Sequence, residues 1–518
     1  MRLAALVVGL SAIATACAGR TDRPAESTTP PTVMNGQGEM AGEVTSDSVI
    51  LQSRLTSAKT LVNGDVPGAS GVGRFEIASS SDFAGSTTTE WLRADAEHDF
   101  IFKKRVEKLT PGTTYFYRLI YGPDEKNVQT GPTRSFKTLP GAGGATDVSF
   151  VVVTGMNYNQ FYRSPRAYKG SDRELGYPAL KTILDARPNF FVGTGDNVYY
   201  DSGPSDAQTP ADMRRYWHEQ FVQPRMVDLM GQVATYWEKD DHDTRYNDSD
   251  NTGTVEPSPA LGKKIFEEQM PVVAPTDTNP RPYRTHRVSK DLQIWLTEGR
   301  EFRSPNMSDA PDKTMWGAEQ MTWLKETLAA SDATFKILIS PTPMVGPDDH
   351  YRSEVGGTAQ AAQKGAKPAT SAAPPRAAER LKGQDDLKRD NMTNAGGFRR
   401  ERDRFFAWLR ETGLTEKNFY IITGDRHWQY HSIDPTGIEE FSSGALVDEN
   451  SRLGRGPGDP FGNDPKRLIK QPYTSREPSG GFLKVTVRPG STPIAVFEFY
   501  DEHGVMLHTH TKTAKVGN

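Results

Sequence analysis

An α/β fold preceded by a small all-β sandwich is what this sequence predicts, and three observations carry the prediction. From Val148 onward, short continuous apolar runs alternate with segments of helical spacing, the pattern of strands buried on both faces. Ahead of that point the chain is a series of β-branched and aromatic stretches broken by turn residues. Three of the later apolar runs end on clusters of acidic, imidazole and phenol side chains: Gly195-Asp196-Asn197-Val198-Tyr199-Tyr200-Asp201, Asp240-Asp241-His242-Asp243 and Gly424-Asp425-Arg426-His427.

Taken in order, the chain opens on Arg2, an apolar stretch from Leu3 to Ala14, and Ala14-Thr15-Ala16 before Cys17. Residues 1–17 resemble a bacterial lipoprotein signal, in which Cys17 becomes a lipidated N-terminus; an ordinary secretory signal cut nearby leads to the same export. The protein is therefore expected in the periplasm or at the cell surface, lipid-anchored, or else secreted. Residues 18–40 are rich in Ser, Thr, Pro and Gly and read as a disordered tether. From 41 to 140, the stretches Val49 to Leu51, Gly73 to Ile77, Phe100 to Val106 and Tyr115 to Leu119 predict a small β-sandwich. Within it, Leu109-Thr110-Pro111-Gly112-Thr113-Thr114-Tyr115 and the following Phe116-Tyr117-Arg118 resemble the turn and strand of fibronectin- and immunoglobulin-like modules. The sandwich reads as an accessory domain with no chemistry of its own, and Pro140 to Ala145 as a flexible hinge.

The α/β domain is expected over 146–518. Its strands are predicted at Val148 to Val153, Phe190 to Thr194, Val233 to Trp237, Leu292 to Leu296, Phe335 to Ser340 and Phe419 to Thr423. Helical spacing occupies Tyr177 to Ala186, Ala318 to Leu328 and Phe398 to Glu411, the last with Phe405, Phe406, Trp408 and Leu409 in one stripe. Ala, Lys, Pro and Gln over 356–388 break the alternation and predict a flexible surface insertion. Strand patterning returns in Phe482 to Val487 and Ala495 to Tyr500.

A chain of 518 residues accommodates two or three domains. Its net charge of -4 carries no nucleic-acid footprint. With one cysteine there is no intramolecular disulfide and no thiolate cluster, so metal ligands must come from Asp, Glu, Asn, His, Tyr or backbone. No segment approaches the roughly 20 apolar residues of a membrane span, which leaves the lipid as the only membrane contact. A monomer is expected.

Loops at the carboxyl ends of α/β strands gather in one crevice, and all three acidic segments are placed there. Gly195 lets the backbone turn so that Asp196 aims over the sheet, where a carboxylate can bridge two ions. Tyr199 can return to the same metal as a phenolate, a ligand suited to a trivalent ion; taken alone it reads as a buried aromatic, and beside Asp196 as a ligand. Asp240 and Asp241 would cost several kcal/mol if buried unpaired, and a cation relieves that. His242 is placed to protonate a leaving alkoxide or hold a phosphoryl oxygen. Asp425 and His427 point the same way if the strand continues through them, and both can bind metal. Trp428 and His431 read as wall and structure. The set suits a multinuclear centre of hard cations, whose usual chemistry is phosphate-ester hydrolysis.

From about Ser149 to the end, these residues are similar to the PhoD-like alkaline phosphatases of the calcineurin-like metallophosphoesterase superfamily. The likeness extends to Asn157-Tyr158, Glu298-Gly299-Arg300-Glu301-Phe302-Arg303, Trp316-Gly317-Ala318-Glu319-Gln320 and Trp323-Leu324. It implies two mixed sheets packed face to face with helices outside, behind an N-terminal β-sandwich. It implies hydrolysis of small phosphate mono- or diesters by attack of a metal-bound hydroxide. The resemblance also implies calcium with ferric iron or another transition metal, held by Asp196, Tyr199, Asp240, Asp241, Asp425 and His427, with Asn157 and Asn197 as further candidates. His242 would be the catalytic histidine and Arg300 the phosphate-contacting arginine. At one position the likeness breaks: the family's cysteine ligand, three residues before Tyr158, is Gly155 here. The iron position then holds iron with water or Asn157, takes another divalent ion, or binds weakly. No twin-arginine pair precedes the apolar run, so the general export route is implied. Two further readings stand beside this one: a phospholipase D-type phosphodiesterase acting on lipid head groups, and a non-catalytic binding protein on a degenerate phosphatase scaffold.

Overall fold

The computed structural model describes residues 32–203, 206–351 and 387–515. Two large sheets pack face to face in it. The first has nine strands, in edge-to-edge order Met506–Thr513, Ile494–Asp501, Gly481–Arg488, Val148–Val153, Phe190–Thr194, Ala234–Glu238, Glu39–Gly42, Val49–Arg54 and Ile101–Val106. The second has seven: Arg284–Arg287, Leu292–Leu296, Phe335–Ser340, Phe419–Thr423, Glu439–Ser443, Gln429–Ile433 and Lys470–Thr474. The six central strands predicted from their apolar runs are all present.

Alternation along these strands decides what each side chain fills. Phe150, Val152, Phe190 and Val192 share one core with Ile294, Ile337, Ile339 and Ile422 of the other sheet, all fully buried. Val151, Val153, Phe191 and Trp237 take the opposite face and pack under Leu180 and Ile183 of Pro178–Asp185 and Trp217 and Phe221 of Pro210–Phe221. On the second sheet Leu338 and Ile421 lie beneath Leu324 and Leu328 of Gly317–Ala330 and Phe405, Phe406 and Leu409 of Arg399–Glu411. A strand buried on both faces must be apolar throughout, which is why these segments read as continuous runs rather than alternating ones. Each sheet holds four adjacent parallel strands, Val148–Val153, Phe190–Thr194, Ala234–Glu238 and Glu39–Gly42 in one and Leu292–Leu296, Phe335–Ser340, Phe419–Thr423 and Glu439–Ser443 in the other. Their carboxyl ends, and the loops that follow, therefore leave each sheet on one side.

The all-β region over 41–140 forms two layers as expected of a sandwich, and one of them continues the nine-stranded sheet. Gly42 pairs in parallel with Thr235, and the Thr235 hydroxyl donates to the Ala41 carbonyl at 3.1 Å. Every residue of Glu39–Gly42 is buried, so that strand needs a neighbour on both edges. The second layer is built on Gly71–Ala78 and Thr114–Asp124, with Phe75 packed on Phe102 of the first at 5.9 Å between ring centroids. The expected tether stops short of 40: Val33 is buried, Met34 bridges Thr56, and Glu39 starts a strand. The rest of the tether, Cys17 and the signal lie outside the described residues. The hinge is docked, Gly141 N–H donating to Val288 at 3.1 Å and Lys290 N–H to Gly144 at 2.8 Å. Most of the expected insertion, 352–386, lies outside the described residues; Lys388, which the expectation included, is buried and paired with Asp348 at 3.2 Å. No helix among the described residues is long and apolar enough to cross a membrane.

A buried ion pair ties the layers together. Arg284 donates to Glu43 at 2.6–2.9 Å, and His286 lies 3.3 Å from the same carboxylate. Burial alone would raise the Glu43 carboxyl, but Arg284 and His286 hold it at about 2. A depressed carboxyl contributes stability in full above its unfolded value near 4.5, and that contribution is lost as pH falls through about 2. Glu43→Gln is expected to lower stability at pH 7 by about 3–5 kcal/mol, because it leaves the Arg284 charge buried and unpaired. Urea melts at pH 7 check this, and a loss below about 1 kcal/mol would show that the pair does not couple the layers.

Candidate metal centre

The three acidic segments meet because their backbones turn sharply at the strand ends. Asp196 sits at φ 55° directly after Gly195 at φ 78°, and Asp425 at φ 56° after Gly424. A Cβ on Gly195 would stand 2.5 Å from Asp240 Cβ, so only glycine allows the first two segments to approach this closely. Left-handed aspartates are uncommon and cost energy that the surroundings must offset. Asp243 is one such offset. Its carboxylate accepts from Asp240 N–H at 2.5 Å, from Asn197 N–H at 3.1 Å and from Asn197 Nδ2 at 2.5 Å, pinning both loops.

Asp196 Oδ2 accepts from the Tyr199 hydroxyl at 2.9 Å and lies 3.2 Å from His427 Nε2, which is itself 3.1 Å from Tyr199. The segment of the third strand thus reaches that of the first. Ligating atoms of Asp196, Asp241 and His242 fall within 4.8 Å of one another. Asp196 Oδ1, Asp240 Oδ2 and Asp241 Oδ1 are buried with no hydrogen-bond partner among the described residues. Ionised oxygens orphaned in this way cost several kcal/mol unless a cation satisfies them. The donors therefore fit a multi-metal site, rich in hard oxygen with two imidazoles.

Electrostatics follow from that crowding. Burial raises Asp196 well above the ordinary carboxylate range; Asp241, Asp240 and Asp243 push the same way and outweigh the pull of His242. Burial also raises Asp240 against the pull of Arg300, whereas Arg300 and His242 outweigh burial at Asp241 and lower it. For His242 burial favours the neutral ring, but Asp201, Asp241 and Asp196 together hold the imidazole well above its usual value. Asp201 Oδ1 stands 2.7 Å from His242 Nδ1, fixing the ring and leaving Nε2 for a substrate. His427 goes the other way, lowered by burial and by Arg452 and His242, so it keeps a ligating lone pair.

These groups open onto a cavity of about 150 Å³ lined by Asp196, His242, Asp425 and His427 together with Lys388 and Arg452. Arg452 also lies over the Trp428 ring at 5.1 Å, and Trp428 stands behind it rather than among the residues that line the cavity. Arg300 is elsewhere. Its guanidinium stands behind the carboxylates, Nε donating to Asp240 Oδ1 at 2.6 Å and Nη1 to the Ser249 carbonyl at 2.9 Å. The structure places Arg300, expected at phosphate, against the carboxylates, since a buried guanidinium beside two buried aspartates is drawn to them, and Lys388 and Arg452 are the cations that line the cavity. Asn197 turns under its strand, with Nδ2 bonded to Glu238 O at 2.8 Å as well as to Asp243. Asn157 caps the helix Tyr158–Arg163, its Oδ1 accepting from Gln160 N–H at 3.0 Å. Asp425 and His427 come together through the loop, not along a strand, which ends at Thr423.

Gly155 has its own explanation. Its φ is +69°, and a Cβ there would stand 2.9 Å from Ala445 Cβ and 3.4 Å from the Asn450 amide nitrogen. That amide donates to the Tyr199 hydroxyl at 2.9 Å and to the Gly155 carbonyl at 3.2 Å. Asn450 therefore occupies the space a side chain at 155 would enter. Asp201, Asp243, Lys388, Asn450 and Arg452 all escape sequence reasoning as site residues; only the first two lie within the acidic segments, where proximity was the available signal.

Residues 150–471 match the family model described as PhoD-like phosphatase, and residues 21–140 match that of the PhoD-like phosphatase, N-terminal domain. A solved structure described as the structure of PhoD is 18% identical, covers 95% of this chain and 90% of its own, and has a TM-score of 0.65. Purple acid phosphatase PPD1, isolated from yellow lupin (Lupinus luteus) seeds, is 11% identical with 93% and 75% covered and a TM-score of 0.55. Both share the sandwich of mixed sheets flanked by helices. No curated protein matches the chain.

Proposed function

Since the chain belongs to the PhoD-like phosphatase family and is a hydrolase, a metal-dependent phosphoesterase, we propose that it cleaves small phosphate esters at the Asp196–His242–His427 cavity after export from the cytoplasm. One observation carries the reading: three orphaned carboxylate oxygens on converging loops, beside a cavity that also presents an imidazole and two cations. Calcium with ferric iron or another transition metal would be held by Asp196, Tyr199, Asp240, Asp241, Asp425 and His427. When bound, such ions supply Lewis acidity toward the phosphoryl group and make a nucleophile of water.

The chain's own residues do the rest. Lys388 and Arg452 take phosphoryl oxygens by charge-assisted hydrogen bonds. His242, oriented by Asp201, holds a proton on Nε2 and gives it to the departing ester oxygen. Asp243 and Arg300 fix the carboxylates from behind. Tyr199 and Asp196 suit ferric iron by hardness, and beside Gly155, where the family has a thiolate, the Asn450 amide N–H donates to the Tyr199 oxygen and orients it. Export rests on the Arg2 to Cys17 segment, with Cys17 the lipid anchor; a monomer working outside the membrane on soluble esters or lipid head groups fits that placement.

The test is parallel turnover of p-nitrophenyl phosphate, its bis ester and phosphatidylcholine, before and after chelation and after adding back each metal found in protein from its own host. Loss on chelation and recovery with the resident metals are expected; activity that survives full metal removal sinks the proposal. Preference for phosphatidylcholine would move the substrate to lipid head groups. A second expectation concerns charge. A monoester carries more negative charge than a diester at its optimum, so Lys388→Ala and Arg452→Ala should each raise KM about tenfold for the monoester and less for the diester. Equal effects on both would assign these cations to positioning rather than to reading phosphate charge.

A further inference from the structure

Outside the cavity, a second group of potential ligands sits where the two sheets face each other. His431 and Glu439 are diagonal neighbours on the antiparallel pair Gln429–Ile433 and Glu439–Ser443, His431 Nε2 lying 2.8 Å from Glu439 Oε2. His510 comes from the other sheet, on Met506–Thr513, with its ring 4.5 Å from that of His431. The ligating atoms of the three residues fall within 4.8 Å of one another. His431 is fully buried, and its Nδ1 and His510 Nε2 are both buried without a hydrogen-bond partner among the described residues. Phe441 stacked on Phe497 at 4.0 Å holds the sheets at this spacing.

We propose that His431, Glu439 and His510 form a second, non-catalytic cation site that takes a zinc-type divalent ion and clips the two sheets together. Two imidazoles and one carboxylate with a position left for water suit such an ion. The cavity's oxygen-rich donors differ in kind, so the two sites sort ions by ligand chemistry. Burial, with His431 and Lys512 beside it, pushes the His510 imidazole down to about 4, which leaves its lone pair available at neutral pH. Lys512 is the built-in competitor. Its ammonium meets Glu439 Oε1 at 2.6 Å, and as its side chain is 20% exposed it can swing out to solvent when a cation takes the carboxylate.

The competition makes the site testable in both directions. Enzyme saturated with its resident metals is exposed to Zn2+, dialysed, and read for zinc per chain and for Tm. One added zinc equivalent and a raised Tm are expected. His510→Ala should lose both while turning over p-nitrophenyl phosphate as wild type does. Lys512→Met should bind zinc at least tenfold more tightly. Equal zinc content and equal Tm response in wild type and His510→Ala would overturn the site. So would an added equivalent that Asp196→Asn loses and His510→Ala retains, since that ion belongs to the cavity.

Discussion

Asp196→Asn is expected to abolish turnover of an aryl phosphate, by on the order of a thousandfold or more, while the metal-free protein melts no lower than wild type. The first half follows from position: Asp196 is where the first and third acidic segments meet, through Tyr199 at 2.9 Å and His427 at 3.2 Å. A carboxylate in that place is worth several kcal/mol of transition-state stabilisation through the ions it holds. The second half follows from charge. Asp196 is buried beside Asp240, Asp241 and Asp243, and burial with that repulsion is what raises its carboxyl. An amide keeps the shape and the hydrogen bond from Tyr199 but removes one of the crowded charges, so the empty site should relax rather than unfold. Kinetics on p-nitrophenyl phosphate beside thermal melts of chelated protein check both halves. Retained turnover would end the case for this cavity as the active site; lost turnover with a collapsed Tm would mean that Asp196 acts on the fold.

How much of this was legible in the sequence depended on how local each signal is. Asp196, Asp240 and Asp425 stand within a few residues of apolar runs that announce strands, so their place at strand ends was legible, whereas their convergence also needs the two sheets to pack with those ends together. Buried parallel strands read clearly because both faces demand apolar side chains. Lys388 and Arg452 are another matter, because they lie in irregular segments where no period distinguishes a side chain that faces the cavity from one that faces solvent. Asn450 could not be found either, since its partners Gly155 and Tyr199 lie some three hundred and two hundred and fifty positions away. The N-terminal region shows a related limit. Its strands were visible from alternation, but their pairing was not, because Glu39–Gly42 joins Ala234–Glu238 across nearly two hundred residues of chain. A module boundary drawn from composition cannot see a hydrogen-bond ladder that crosses it.

Arg300 marks the sharpest divergence between motif and geometry, and it yields the other large expected effect. The motif places an arginine near the carboxylates without saying on which side of them. In the structure its guanidinium engages Asp240 through both Nε and Nη2, reaches the Ser249 carbonyl through Nη1, and stands 3.7 Å from Asp241. Burial would lower its affinity for a proton, but Asp240 and Asp241 raise it. Arg300→Met removes the guanidinium that sits directly against two buried aspartates, and should lower the stability of the metal-free protein by about 3–5 kcal/mol. Saturating divalent metal should then narrow the gap between variant and wild type, because a bound cation takes over the compensation that the guanidinium provided. A phosphate clamp predicts the opposite pattern: unchanged melting of the apo-protein, weaker inhibition by inorganic phosphate, and a raised KM with metal-bound stability intact. Thermal melts with and without metal, read beside phosphate inhibition, separate the two. Because Asp240 would lose its fixed orientation as well as its charge partner, kcat is expected to fall more than KM rises, as befits a residue that acts on the ligands and not on the substrate.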